Sequence, residues 1–272
     1  MPGIQDKEYP IRTIHHLSSS GGTLISKCIS AMPDVVMLSE INPCSEMGGL
    51  FFDPFDPLKH FQKKYPEISY KDADSFKAIF YERIKWVIEK CKKHQKSLVI
   101  RDHSHSDFLF QGVLEHPPVY SFLNELYNVV PIITLRNPID SYLSMMKHFS
   151  SATDVKSFDE YCKRVLAFIE KYSFAEVFLY EDFVDNPDRT LQRMCEIYGI
   201  EYDPSYKNNF HEITLTGDSG RGSKQKLKEI KKLDRREYGQ DFFQEVKESV
   251  SFKQICDLLG YQDDIRPPQG LD

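Results

Sequence analysis

Residues 11–32 read IRTIHHLSSSGGTLISKCISAM. An apolar run from Ile11 to Leu17 gives way to Ser18, Ser19, Ser20, Gly21, Gly22 and Thr23. A helical pattern follows to Met32, where Pro33 stops it. The order is strand, tight turn, helix. Glycines in such a turn let backbone N–H groups crowd an anion, and the helix N-terminus adds partial positive charge. The serines and Thr23 add hydroxyl donors. A Walker A loop would need GxxxxGK followed by Ser or Thr, and this turn lacks that lysine and the hydroxyl after it. An anion is expected, magnesium-ATP chemistry is not, and a Ser/Gly turn without a ligand stays open.

Outward from this turn, strands and helices alternate. The pattern predicts strands over Val35 to Leu38, Ser97 to Asp102, Asn128 to Leu135 and Ala175 to Tyr180. Pro131 in the third of these suggests that its first turn of pairing is free. Helices are predicted over Asp72 to Lys93, from Asn137-Pro138 to about His148, and over Ser157 to Tyr172. Another runs from Asn186-Pro187 to Gly199, and a long one from Glu237 to Leu259. Helices of such lengths between strands require crossover connections, hence a largely parallel sheet covered on both faces. The fold class is α/β, in one domain spanning residues 1–272. Residues 42–70, rich in Pro, Gly, Phe and Asp, form an irregular insertion suited to substrate contacts. Trp86, the single tryptophan, falls on the apolar side of its helix and is expected in the core.

Composition sets limits. The 272 residues carry 41 acidic and 35 basic side chains, a net charge of -6, with 19 Phe and 15 Tyr available for a core. Disorder is excluded as the main state, and the acidic balance argues against general nucleic-acid binding. No run of 18 apolar residues exists, so no membrane span is expected. Six cysteines without a CxxC pair and a polar N-terminus are read as reduced thiols in a cytoplasmic protein. His103 and His105, or His15 and His16, lack an evident third metal ligand, so no metal is expected.

Four elements in order resemble the sulfotransferases that use 3′-phosphoadenosine 5′-phosphosulfate (PAPS, giving PAP), a family with a P-loop-type three-layer α/β fold. The first is the turn Ser18 to Leu24, which in that family binds the 5′-phosphosulfate through backbone amides. The second, Leu135-Arg136-Asn-Pro-Ile-Asp140-Ser-Tyr-Leu-Ser144, resembles the family's 3′-phosphate element. Arg136 offers a bidentate fork, and Ser144 lies nearly two turns into the next helix. The third is Tyr180-Glu-Asp with Asn186-Pro187, where the resemblance puts Tyr180 on the adenine side. The fourth, Leu215 to Gly222, resembles a late loop closing over the 3′-phosphate through Arg221 and Gly222. The family's loop Lys or Arg is replaced here by Ser19, and the aromatic that often follows the Thr is Leu24. Arg101, Lys27, His15 and His16 are candidates to substitute for the missing cation, with Arg101 ranked above Lys27.

The resemblance implies in-line transfer of a sulfuryl group to a hydroxyl or amine of a small-molecule, lipid or carbohydrate acceptor. Two residues compete as general base. Val99-Ile-Arg101-Asp-His103 resembles the cytosolic branch's strand-Lys-x-His, with His103 as base and Arg101 as cation. Glu40 resembles instead the glutamate base of the tyrosylprotein branch. Residues 104–125 join 42–70 as candidate lining of the acceptor pocket. The stretch Arg221 to Arg236 holds eight basic residues and two acids, read as a lid whose first residues seal over the anion and whose remainder is solvated. Two rivals stand beside this reading: a P-loop kinase of nucleotides or small molecules, and a PAP-binding scaffold with little catalysis. The acceptor and the oligomeric state are not legible.

Overall fold

In the computed structural model, the residues described are 6–44, 73–110, 113, 115–217, 229–261 and 265. Strands β1 (Asp6–His16), β2 (Val35–Ile41), β3 (Ser97–Asp102), β4 (Tyr127–Leu135) and β5 (Glu176–Leu179) form one sheet in the order β2-β3-β1-β4-β5. Every pairing is parallel. The sheet predicted as largely parallel is therefore wholly parallel, with β1 at its centre. β4 pairs with β1 from its first residues, Pro131 opposite Thr13, so its early pairing is not free as expected; only its pairing with β5 begins after Pro131, at Ile132, which leaves the missing N–H outside that ladder.

Alternation along β1 divides the core. Ile11 and Leu17 face apolar clusters built on α2 (Ala73–Lys93), α3 (Pro118–Leu126), α4 (Pro138–Phe149) and α5 (Phe158–Lys171), while Ile14 faces α1 (Gly22–Ser30) and α7 (Pro187–Tyr198). Four further helices are α6 (Tyr180–Asp185), α8 (Tyr206–Asn209) and, near the C-terminus, α9 (Gln240–Glu248) followed by α10 (Val250–Leu259). Helix ends follow sequence chemistry. Asn137, Ser157, Asn186 and Ser249 each accept a backbone N–H of the first turn, and Gly199 ends α7 at φ 59°.

Three expectations are corrected. Trp86 is 61% exposed, with Lys90 over its ring, because the apolar face of α2 is narrower than the pattern implied and carries Phe80, Ile84 and Ile88 inward. The last helix is two helices: Ser249 breaks it because its hydroxyl caps α10 instead of continuing the turn. The strand before Tyr180 is shorter than expected, since Tyr180 itself opens α6. Among the described residues, no helix is long and apolar enough to cross a membrane.

Candidate functional site

The turn after β1 depends on its glycines. Gly21 sits at φ 83°, and a Cβ there would lie 2.2 Å from the Tyr180 ring; one on Gly22 would lie 2.3 Å from the ring of His16. Backbone this close to two aromatic faces admits no side chain. Ser19 is also left-handed, at φ 65°. Ser20 donates its hydroxyl to the Leu17 carbonyl at 2.7 Å, which ties the turn back on itself. The hydroxyls of Ser18 and Ser19 are buried and have no hydrogen-bond partner among the described residues. Leu24, next along, packs on the core beneath α1.

Beneath the turn lies Arg101. Residues 15, 16, 101 and 102 fall on adjacent strands, where period-two alternation sorts them into two pairs on opposite faces of the sheet. On the α1 face, Arg101 donates Nε to His16 Nε2 at 2.7 Å and Nη2 to Thr23 Oγ1 at 2.9 Å. On the other face, His15 contacts Asp102 at 2.8 Å and Thr13 at 2.9 Å. The substitutes for the loop cation are thereby separated. Since His16 Nε2 accepts from Arg101, the ring proton sits on Nδ1, 3.1 Å from the Leu17 carbonyl. Burial and the Arg101 charge push the His16 pKa well below its ordinary value, so His16 is neutral. His15 faces away. Lys27 occupies the last turn of α1, whereas Arg101 is 3% exposed and touches Thr23 directly.

Glu40 reaches the same point through a backbone irregularity. Ser39 pairs with Arg101 and Ile41 with Asp102, so Glu40 is the extra residue of a bulge, at φ 60°. Regular alternation would send Ser39 and Glu40 to opposite faces. Here Ser39 Oγ accepts from Arg101 Nη1 at 2.9 Å while Glu40 Oε1 lies 2.7 Å from Nη2. The left-handed backbone costs about 1–3 kcal/mol for a residue with a Cβ. Glu40 Oε2 also lies 3.2 Å from His103 Nε2, and His103 Nδ1 is hydrogen-bonded to Ser106 Oγ. Burial raises the Glu40 pKa against the pull of Arg101, and it lowers that of His103 to about 4 despite the opposing charge of Asp102. The two residues that competed as base are in direct contact.

Across the turn, Arg136 Nη1 donates to the Ser19 carbonyl at 3.4 Å, and its guanidinium stands 4.9 Å from the Tyr180 ring centre. Ser144 lies on α4, where Arg236 Nη2 donates to its hydroxyl at 3.2 Å. Asp140 in the first turn of α4 pairs with Arg235 at 2.9 Å and accepts the Arg236 backbone N–H at 3.1 Å. Burial of Asp140 against this segment corrects the expectation that the end of the basic stretch is solvated. Arg235 and Arg236 were missed because charge counting treats all eight cations of that stretch alike; only the adjacent Arg-Arg pair at its end hinted at a shared partner. Arg221 and Gly222 lie outside the described residues, as does the insertion beyond Cys44.

The convergence is thus the Ser18–Leu24 turn, Arg101, Glu40 and His103 at the C-terminal ends of β1, β2 and β3, with Arg136, Tyr180, Ser144 and Arg236 beside β4. Ligands of open α/β sheets bind at this edge. No protein-family model and no curated protein sequence matches the chain. Among solved structures, it is similar to the sulfotransferase domain of the Synechococcus PCC 7002 olefin synthase, with 13% identity, a TM-score of 0.54, and 96% of this chain and 98% of that one covered. It is likewise similar to the sulfotransferase domain from the curacin biosynthetic pathway, with 16% identity, a TM-score of 0.55, and 94% and 99% covered. The all-parallel sheet, its helical layers and its near-complete overlap with these two structures show that the chain has the sulfotransferase-domain fold.

Proposed function

We propose that the chain transfers a sulfuryl group from PAPS to a hydroxyl or amine on a small-molecule, lipid or carbohydrate acceptor. The observation that carries this reading is the position of Arg101, which bonds at once to Thr23 of the turn and to Glu40, itself in contact with His103. Group transfer between anions calls for those three parts together: an anion cradle, a fixed cation, and a proton acceptor within reach. The turn suits an anion, because its glycines keep the backbone free of side chains where it packs on Tyr180 and His16 and because Ser18 and Ser19 bring buried hydroxyls with bonding capacity to spare.

In this reading residues 1–272 act as one domain. Ser18 to Leu24 hold the phosphosulfate end. Arg136 and Ser144 hold the 3′-phosphate, with Arg236 added to them and Arg221 and Gly222 completing the set. Tyr180 supports the nucleotide from beneath Gly21. PAPS supplies an activated sulfuryl group when bound. Arg101 takes over the charge role of the absent loop lysine, and no metal is needed for transfer. The acceptor's proton passes to the Glu40–His103 pair, in which Arg101 fixes the carboxylate and Ser106 fixes the imidazole.

A thermal-shift titration with PAP, ADP, and ATP plus magnesium tests the reading, since a ligand of the native state raises stability by mass action. Stabilisation by PAP without magnesium is expected. A response only to ATP with magnesium would transfer the protein to the kinase class, no response would overturn the nucleotide reading, and a PAP shift without transfer to any acceptor would favour the scaffold. With an acceptor in hand, Glu40→Gln and His103→Ala should each lower kcat by about 10²–10⁴-fold while the PAP shift persists. The double variant should be little worse than either single one, because the two residues work as a unit.

A further inference from the structure

His103 has a second neighbour that the transfer reading does not use. The ring of His105 lies 3.7 Å from that of His103, centre to centre, and 5.4 Å from Phe110. Its Nδ1 is buried and has no hydrogen-bond partner among the described residues. Nothing in proton transfer between an acceptor and the Glu40–His103 pair calls for a second imidazole.

Three donor atoms, one each from Glu40, His103 and His105, all lie within 4.8 Å of one another. The Glu40 Oε2 to His103 Nε2 contact, at 3.2 Å, already has the length of one edge of a tetrahedral zinc site, about 3.3 Å for ligands about 2.0–2.1 Å from the ion. Two imidazoles and one carboxylate with a fourth position open make a donor set that zinc accepts readily. The outer partners are in place as well. Ser106 holds Nδ1 of His103, which leaves Nε2 as the outward donor, and Arg101 holds Oε1 of Glu40, which leaves Oε2. The sequence hid this arrangement because the third ligand comes from β2, far upstream of the His-Ser-His run.

From this geometry we propose that Glu40, His103 and His105 form a site for a divalent transition metal of the zinc class, with one position left to water. The ion and the acceptor's proton compete for the same two atoms, Glu40 Oε2 and His103 Nε2. The site therefore works as a brake on proton removal and not as a catalytic centre. The braking consequence rests on the transfer reading above; the binding itself does not.

Cobalt(II) titration of untagged, chelator-treated protein tests the binding directly. The expected result is a saturable visible d–d band of the intensity typical of four-coordinate cobalt, displaced by zinc and untouched by magnesium or calcium. His105→Ala and His105→Gln should weaken cobalt binding by more than the roughly 10–100-fold that follows loss of an outer-shell partner. Thermal melts of each variant establish that it is folded, and Glu40→Gln, which keeps side-chain volume, gives the same readout if neither His105 variant folds. A pale six-coordinate spectrum, or cobalt affinity unchanged in these variants, overturns the proposal. The cobalt readout needs no turnover, so it stands or falls separately from sulfuryl transfer. Where transfer is measurable, zinc should inhibit it and a chelator should restore it; zinc that occupies the site without slowing transfer overturns the brake.

Discussion

At the residue scale, the site is assembled by side chains that have lost their freedom. Arg101 makes four different bonds, to His16, Ser39, Thr23 and the Thr216 carbonyl, in addition to its ion pair with Glu40. Its fork is therefore spent on holding the geometry as much as on charge. Gly22 is the position where this arrangement is most exposed to change. Gly22→Ala would drive a methyl into the His16 ring, which cannot swing aside without breaking its bond to Arg101. A destabilisation of about 1–3 kcal/mol is expected from the overpacking alone, read by urea unfolding, together with loss of the PAP shift. Arg236→Ala should behave differently. Its guanidinium meets the Ser144 hydroxyl at the surface of α4, while Arg235 keeps Asp140 paired. PAP binding should weaken by about 10-fold or more, in line with a charge-assisted bond of about 1.5–3 kcal/mol, and the melting of the free protein should hardly move. Equal PAP affinity in this variant would remove Arg236 from the nucleotide site.

At the element scale, caps and a bulge do the work that propensity cannot. The bulge at Glu40 turns one side chain of β2 from the far face to the Arg101 face, and no period in the sequence announces it. The caps were legible: Asn137-Pro138, Ser157 and Asn186-Pro187 mark helix starts that the structure places there. Ser249 was not, because a serine inside an amphipathic run looks like a solvent-facing position until Asp159 is brought beside it. Asp159 accepts from Ser249 Oγ at 2.7 Å and from the Ser251 N–H at 3.1 Å, joining α5 to the start of α10. Burial opposes its charge, but bonds from Ser249, Lys163 and Ser251 outweigh it and hold its pKa at about 2. A carboxylate depressed in the folded state adds stability above its unfolded pKa of about 3.9, and that stability is lost as pH falls toward 2. Asp159→Asn should therefore cost about 1–2 kcal/mol at neutral pH. The difference from wild type should fade as the pH of a denaturant titration is lowered from about 4 to 2; a pH-independent difference would mean that packing, and not charge, carries the effect.

For the whole molecule, β1 is the organising element, paired on both sides and followed directly by the Ser18–Leu24 turn. Amides of Ile11 to His16 should exchange with solvent at rates set by global unfolding, whereas the four-residue β5 at the sheet edge should open first, as hydrogen-exchange mass spectrometry can resolve. Fast exchange in β1 would contradict its place at the centre. The sequence by itself determined the strand–turn–helix start, the parallel class of the sheet, most helix ends and the glycines of the turn, because each of these follows from local period, local caps and glycine's freedom. Only the tertiary structure decided that Glu40 and His103 touch, that His15 and His16 lie on opposite faces, and that Arg235 and Arg236 return to α4. It also sent Trp86 outward. Those outcomes depend on which strands lie side by side and in what register, and contacts between residues far apart in the chain leave no periodic trace in it.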